Sequence, residues 1–401
     1  MPVDTVVIVL AGGRGERLMP LTKHRAKPAV PFGGKYRIVD FVLSNCIHSG
    51  LNTIIVVPQY KYDSLLRHLD LGWDIFNPER GEYLRTVPPQ MRVSEEWYQG
   101  TADAVYQNLY SLATADPKYV LLLSADQVYR LDYRKVLRFH VDKGAELTIA
   151  GVQTDTETAR GLGVMAIDDE QRVVAFEEKP ATPATLPGQP DQSLVSMAVY
   201  AFGSRTLVGQ LEEDMADSGS SHDFGRDIVP KMVRNGRRVY AYMFRDSRTG
   251  QTNYWRDIGT IESYHETNMQ LLDPEPPFDL HSPNWRTIQR QLPSAKIVFK
   301  AQIRASIIGE GCIIDESTVS RSILSPRVRV GPNTQITESI VMEGVEVQEG
   351  ARVVRAIIDE DNVIPAGSSI EAGKMDYRGS AEVTASGIVV IPRFIPQWHG
   401  Q

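Results

Sequence analysis

The chain has 401 residues, 42% of them hydrophobic and 23% charged, with a formal net charge of −7. The length exceeds what one core usually serves and predicts two domains or more, and the negative balance excludes nucleic acid as the main partner while leaving room for a local basic pocket. The two cysteines, Cys46 and Cys312, lie far apart without metal-ligand spacing, which excludes a disulfide framework and a zinc site.

Met1 to Leu10 carries no basic leader and no apolar stretch long enough for a signal peptide. No run approaches the roughly 18 apolar residues of a membrane-spanning helix. A soluble, cytoplasmic protein with no membrane partner is expected. Val6 to Leu10 is a continuous apolar, β-branched run ending in glycines, the pattern of a strand buried on both faces. Asn52 to Val57 and Tyr119 to Leu123 repeat it, and Ala102 to Leu112 places Val105, Leu109 and Leu112 at helical spacing. Such alternation predicts an α/β domain with a mostly parallel sheet and helices on both faces. Ligands bind such sheets beyond the carboxyl ends of the strands, where the glycine loop after Leu10 and Asp126 both fall.

A proline-rich stretch from Asp273 through Pro274, Pro276 and Pro277 to Pro293 breaks the pattern and reads as a linker over 273–295, between domains at 1–272 and 296–401. Beyond it the apolar residues repeat six apart: Ile307, Ile313, Val319; Leu324, Val330, Ile336; Val341, Val347, Val353; Ile358, Ile364, Ile370. The first members are 17 residues apart, and small residues recur in step at Ala305, Ser322, Ser339 and Ala356. A fixed register of this kind predicts a parallel β-helix, in which each inward residue stacks on its equivalent in the next coil.

The chemistry concentrates around the first strand. In Leu10-Ala11-Gly12-Gly13-Arg14-Gly15-Glu16-Arg17-Leu18 the glycines let backbone N–H groups approach a phosphate or base. It is neither a Walker loop nor a dinucleotide fingerprint, because the lysine and the glycine spacing differ. Alone, the loop reads equally well as a tight turn. Its continuation, Arg17-Leu18-Met19-Pro20-Leu21-Thr22 and then Arg25-Ala26-Lys27-Pro28-Ala29-Val30, resembles the signature of the sugar-1-phosphate nucleotidyltransferases, whose arginine and lysine hold the nucleotide phosphates. Two fixed cations beside a glycine loop can neutralise charge building up at a phosphorus under attack.

Further blocks narrow the resemblance to the bacterial and plant glucose-1-phosphate adenylyltransferases: Phe32 to Phe41, Leu43 to Cys46, Trp97-Tyr98-Gln99-Gly100-Thr101-Ala102-Asp103-Ala104, Phe176-Glu177-Glu178-Lys179-Pro180, Ser196-Met197, Ser221-His222-Asp223-Phe224-Gly225 and Tyr254 to Thr260. The resemblance implies a Rossmann-like mixed, mostly parallel sheet in a nucleotidyltransferase domain, followed by a C-terminal left-handed parallel β-helix. It implies transfer of the adenylyl group of ATP to glucose 1-phosphate, giving ADP-glucose and pyrophosphate, the first committed step of glycogen synthesis.

It also implies site residues. Arg17, Lys27 and Asp126 would be catalytic, and Leu10, Ala11, Gly12, Gly13, Gly15, Gly100 and Thr101 would line the nucleotide. Tyr98, Gly163, Glu178, Lys179 and Ser196 would bind glucose 1-phosphate, and Asp126 and Asp257 would hold Mg²⁺. Proline at 180 is expected to hold Lys179 extended and present it, while Asp257 has a rival reading as the partner of Arg256. A homotetramer and an allosteric small-molecule effector are implied as well, with His24, Arg25, Arg37, Arg352 and Arg355 as anion ligands between the domains.

The chain departs from the family at Ser124-Ala125-Asp126-Gln127, where relatives usually read Gly-Asp-His, and at His24 and Pro31, where enteric members carry lysine and histidine. Two rival readings are a nucleotidyltransferase for dTTP, UTP or GTP and a non-catalytic regulatory subunit, the second motivated by the altered 124–127 segment. Retention of Arg17, Lys27, Asp126, Lys179 and Asp257 opposes it. An acyltransferase in the β-helix is discounted, since no histidine lies between His281 and His399 to serve as general base.

Overall fold

The computed structural model describes residues 4–90, 97–246, 248–282 and 293–394. The first apolar run forms strand β1 (Thr5–Ala11), whose Val7 and Val9 face one packed layer while Val6 and Ile8 face the other, all at 2% exposure or less. A strand with both faces in a core keeps no polar face, so its apolar run is continuous. Each buried side chain of this size contributes roughly 1.5–3 kcal/mol. Strands β2 (Thr53–Pro58), β3 (Tyr83–Thr86) and β4 (Tyr119–Ser124) complete a parallel half in the order β4-β1-β2-β3.

The chain continues through β5 (Gln127–Tyr129), β6 (Leu147–Asp155), β7 (Gly163–Ile167), β8 (Val173–Glu178), β9 (Gln192–Gly203), β10 (Val239–Met243) and β11 (Trp255–Asp257). Among the described residues nine strands share one sheet in the order β8-β7-β9-β4-β1-β2-β3, with β6 on β9 and β10 on β6. Because β9 runs antiparallel to β4, the sheet is mixed. Strands β5 and β11 form a separate antiparallel ribbon. Only Ala125 and Asp126 separate β4 from β5, so Asp126 sits where the chain leaves the sheet.

Helices α1 (Ile38–His48), α2 (Asp63–Gly72), α3 (Thr101–Tyr106), α4 (Leu109–Ala115), α5 (Tyr133–Asp142), α6 (Ser204–Met215) and α7 (Val229–Arg234) cover both faces. Val39, Leu65 and Val136 pack with Val7, whereas Val105, Leu207 and Met232 pack with Ile8. The helical stretch expected from Ala102 to Leu112 is two helices. At the break, Asn108 Nδ2 donates to Ala104 O at 2.7 Å and to Tyr98 Oη at 2.9 Å, a side-chain bond of the kind that competes with the helical ladder. No helix among the described residues is long and apolar enough to cross a membrane.

The C-terminal repeat winds as a left-handed parallel β-helix of three sheets. Leu324 stacks on Val341 and Ile358, Val330 on Val347 and Ile364, and Ile336 on Val353 and Ile370. The first coil corrects the sequence register: its inward residues are Ile308, Ile314 and Val319, while Ile313 is 37% exposed. Val319 follows Ile314 by five positions, against six from Val330 to Ile336 in the next coil, so the apolar pair Ile313-Ile314 presents its second member inward. The small-residue column starts correspondingly at Ser306, not Ala305: Ser322 N donates to Ser306 Oγ, Ser339 N to Ser322 Oγ and Ala356 N to Ser339 Oγ.

One face of the β-helix is apolar on its outside too. Ile323, Ile340, Ile357 and Val390 are at most 2% exposed because they pack with Phe32, Phe41, Tyr264 and Phe278. The proline-rich stretch is anchored there by Phe278, whose ring meets Phe41 edge-on at 5.4 Å. Residues 283–292 of the expected linker lie outside the described residues. Arg25, 2% exposed, crosses the same junction: its Nη2 lies 2.7 Å from Asp359 Oδ1 and 3.0 Å from Glu360 Oε2. Glu360 also receives Arg37 and Arg393 at 3.3 and 3.2 Å. Burial alone would push the Glu360 carboxyl up, but Arg25, Arg37 and Arg393 hold it below the usual range.

Candidate active site

A cavity of about 500 Å³ opens at the carboxyl ends of β1 and β4. β1 delivers Leu10, Gly12 and Gly13 to its wall, while Ala11 turns into the core at 1% exposure. Gly15 does not line it; it shapes the turn at φ +64°, where a Cβ would stand 2.9 Å from Thr22 Cγ2. Thr22 Oγ1 donates to Gly15 O at 2.8 Å and closes the loop. Arg17 is exposed into the cavity, and Gly259 leaves the room it needs: a Cβ there would lie 3.2 Å from Arg17 Nη2 and 3.0 Å from Asp257 Oδ2.

Lys27 is 7% exposed, and its ammonium donates to Asp126 Oδ2 at 2.8 Å and Asp257 Oδ1 at 2.9 Å. Burial opposes the charge on Lys27, yet the two carboxylates outweigh it and raise its pKa. Burial likewise opposes ionisation of Asp126, but Lys27 and the Ser124 hydroxyl hold its carboxyl below the usual range. Ser124 Oγ donates to Asp126 Oδ1. Gln127 accepts from Trp255 Nε1 at 3.1 Å and ties β5 to β11, on which Asp257 sits opposite Gln127. The residues that depart from the family pattern therefore brace the acidic pair. Arg256 faces away on the alternating strand, over the Tyr254 ring, and Asp257 pairs with Lys27 instead.

At the other end lie Gly163, Glu178, Lys179 and Ser196. Burial pushes the Glu178 carboxyl up, a shift that Lys179 opposes and Asp223 reinforces. Gly163 admits Glu178, whose Oε2 would be 2.9 Å from a Cβ there. A register shift in β9 between Ser196 and Tyr200 re-aims this stretch; Ser196 Oγ donates to Tyr200 Oη at 3.3 Å and accepts from Ala198 N at 3.1 Å. The extended backbone expected of Lys179 is corrected: its φ is +52°, in the left-handed region. The bond from Lys179 N to Leu162 O at 2.9 Å fixes that turn, which overrides the extended bias before proline. Its ammonium is still presented, with the side chain 53% exposed and Nζ 3.5 Å from Glu178 Oε1.

Between the two ends, Tyr98 lines the cavity with its carbonyl accepting from Gln59 Nε2 at 2.8 Å. Gly100 and Thr101 start α3, and a side chain at Gly100 would overlap the carbonyl of His222. Sequence reasoning assigned no role to Gln59, Tyr200, Asp223, Phe224 or Gly225, which also line the cavity. The Ser221-His222-Asp223-Phe224-Gly225 block carried the signal for three of them.

The five residues expected between the domains separate. His24 and Arg37 line a second cavity, of about 760 Å³, together with residues of the β-helix. Arg25 is sealed behind it in its ion pairs. Arg352 pairs elsewhere with Glu371 Oε2 at 3.1 Å and Gln335 Oε1 at 2.6 Å, and Arg355 is also outside the cavity. Arg355 stands instead beside His265 of the first domain, whose pKa it helps to lower, so the five do not share one pocket.

A model of the nucleotidyl transferase family matches residues 6–274. A model described as GlmU-like, C-terminal hexapeptide, matches 293–391. Glucose-1-phosphate adenylyltransferase 2 of Vibrio cholerae is 47% identical over 97% of this chain and 98% of its own. The glucose-1-phosphate adenylyltransferases of Methylococcus capsulatus (42%, 97% and 93%) and Teredinibacter turnerae (44%, 97% and 94%) match as fully. The chain belongs to the glucose-1-phosphate adenylyltransferase family. Nucleotidyltransferases of this kind generally use a divalent metal. The donor set fits one: Asp126 and Asp257 face one cavity, side chains 29% and 24% exposed, and a pair of carboxylates completed by substrate phosphates is the usual arrangement for a small hard cation.

Proposed function

We propose that the first cavity joins ATP and glucose 1-phosphate into ADP-glucose and pyrophosphate. The observation that carries this reading is the placement, in one cavity, of a glycine loop with Arg17 and Lys27, an acidic pair, and Glu178 with Lys179. Lys179 binds the phosphate of glucose 1-phosphate, with Glu178, Ser196 and the Gly163 backbone on the sugar. Leu10, Gly12, Gly13, Gly100 and Thr101 line the nucleotide, and Tyr98 borders the reacting phosphates. The sugar-phosphate oxygen attacks the α-phosphorus in line, and no covalent enzyme intermediate is needed. Arg17 and Lys27 neutralise the charge that grows on the phosphates, so alignment and electrostatics supply the rate. Asp126 and Asp257 would hold Mg²⁺, which when bound offsets charge on the departing pyrophosphate.

The test is pyrophosphate release with Mg²⁺ and glucose 1-phosphate, comparing ATP, UTP, dTTP and GTP. ATP is expected to dominate; preference for another nucleotide changes the substrate, and no release with any of them overturns the enzyme in favour of a regulatory subunit. Lys179→Ala is expected to raise KM for glucose 1-phosphate by roughly 10- to 100-fold, the worth of one charged hydrogen bond, with little change for ATP. An equal rise for both substrates would show Lys179 to be misplaced.

The second cavity supports an effector site. Its cations are already matched: Lys35 with Glu310, Arg37 with Glu360, Arg67 with Asp63, Arg327 with Glu343, and Arg393 with Glu360 and Asp361. An anionic effector therefore has to exchange with carboxylates. Burial, with Lys23, Lys61 and Arg25 nearby, lowers the His24 pKa, so His24 contributes little charge of its own. The assembly is a cytoplasmic homotetramer built through the β-helix. Light scattering at micromolar concentration is expected to return four times the mass of 44.8 kDa, and a clean monomer would refute the tetramer.

A further inference from the structure

One buried titratable pair stands outside both cavities. His222 and Asp214 are 8% and 3% exposed, and His222 Nδ1 donates to Asp214 Oδ2 at 2.9 Å. Asp214 lies in the last turn of α6, where a carboxylate meets the negative end of the helix dipole. Both of its oxygens are engaged, Oδ1 accepting from Ser220 Oγ at 2.7 Å. His222 has φ +55°, a left-handed conformation that costs a residue with a Cβ and persists only where the surroundings over-determine it. The surroundings do so here. Its N–H donates to Ser220 Oγ at 3.0 Å, and its carbonyl accepts from Ala102 N at 2.8 Å.

The segment this pair holds touches both halves of the first cavity. On the nucleotide side, the His222 carbonyl occupies the space a side chain at Gly100 would need. Thr101 Oγ1 donates to Asp223 Oδ2 at 2.9 Å and accepts from Phe224 N at 3.0 Å. On the sugar side, Gly225 comes so close to Glu178 that a Cβ would stand 2.7 Å from Oε2. Residues 220–225 thus form a spacer between Gly100-Thr101 and Glu178, and the His222-Asp214 bond moors it to α6.

We propose that His222 is a positioning residue whose bond to Asp214 sets the distance between the nucleotide and sugar subsites. This rests on the assignment of Gly100 and Thr101 to the nucleotide and of Glu178 to the sugar. A spacer that slackens misplaces both substrates together, and a displacement of about 1 Å can cost up to 10²-fold in rate. Loss of a contact to one substrate has no such symmetry.

The experiment is two-substrate kinetics of pyrophosphate release on the full chain, with the unfolding midpoint measured alongside. His222→Ala is expected to raise KM for ATP and for glucose 1-phosphate together, each about tenfold, and to lower kcat. His222→Asn keeps a donor at the δ position and tolerates the left-handed backbone, and it is expected to recover most of both losses. A lowered midpoint with unchanged KM values, a rise confined to one substrate, or an Asn variant as impaired as the Ala variant would each overturn the proposal. If His222→Ala does not fold, Ser220→Ala, which removes one bond to Asp214 and one to the His222 N–H, must raise both KM values or the proposal fails. An inactive parent chain would remove the functional reading and this inference with it, whereas an active parent with an unaffected His222→Ala variant removes the inference alone.

Discussion

Asp126→Asn is expected to lower turnover by about 10²–10³-fold, the usual cost of deleting one group that stabilises charge in the transition state, with the fold intact. The amide keeps the volume of the side chain and can still accept the Ser124 hydroxyl, so packing at the end of β4 is preserved. What it loses is the negative charge that pairs with Lys27 beside Asp257. Half-saturation by Mg²⁺ should move to higher concentration in the same assay, because one of the two oxygen ligands proposed for it has become neutral. KM for glucose 1-phosphate should change little, since Lys179 and Glu178 stand at the other end of the cavity. Turnover within fivefold of the parent would place the metal ligand elsewhere.

Arg25→Ala is expected to cost about 3–5 kcal/mol of stability, the range for breaking a buried ion pair by removing one partner. Asp359 and Glu360 are 2% and 6% exposed, so water cannot replace the guanidinium. Glu360 keeps Arg37 and Arg393, whereas among the described residues the Asp359 carboxylate retains only backbone donors, Glu360 N at 2.7 Å and Arg393 N at 3.3 Å. Calorimetry should show the main unfolding transition about 5–10 °C lower. Adding Asp359→Asn should restore part of the loss by removing the stranded charge. An unchanged midpoint would mean that the apolar contact of Ile323, Ile340 and Ile357 holds the junction without the ion pair. The sign separates this effect from effector binding: an exposed anion ligand would leave the midpoint where it was and change only regulation.

Much of the architecture is legible in the residues. The continuous run of β1 announces a strand with two buried faces, and the 17-residue register announces a stacked coil, because both patterns record which side chains must leave water. The first coil differs by one position from the register its sequence predicts, for an equally local reason. Ile307-Ile308 and Ile313-Ile314 are apolar pairs, and hydrophobicity cannot say which member points inward; the five-residue corner before Val319 decides it. The pairs Ile323-Leu324, Ile340-Val341 and Ile357-Ile358 held a further signal, apolar neighbours recurring on one face in three successive coils, which marks the side that packs against the first domain.

The glycine loop, the two cations, Asp126, Asp257 and the Glu178-Lys179 end were all nameable from the sequence through the family that their blocks resemble; alone, the loop reads equally well as a tight turn. Only the tertiary structure decided who partners whom. It gave Asp257 to Lys27 and not to Arg256, turned Arg25 into a buried interdomain pair, scattered Arg352 and Arg355 from His24 and Arg37, and set the His222 carbonyl against Gly100. A strand or a coil is specified by periodicity within a few residues of itself. A salt bridge or a mooring hydrogen bond joins residues up to 335 positions apart, and its geometry exists only once the backbone has carried both ends to the same place.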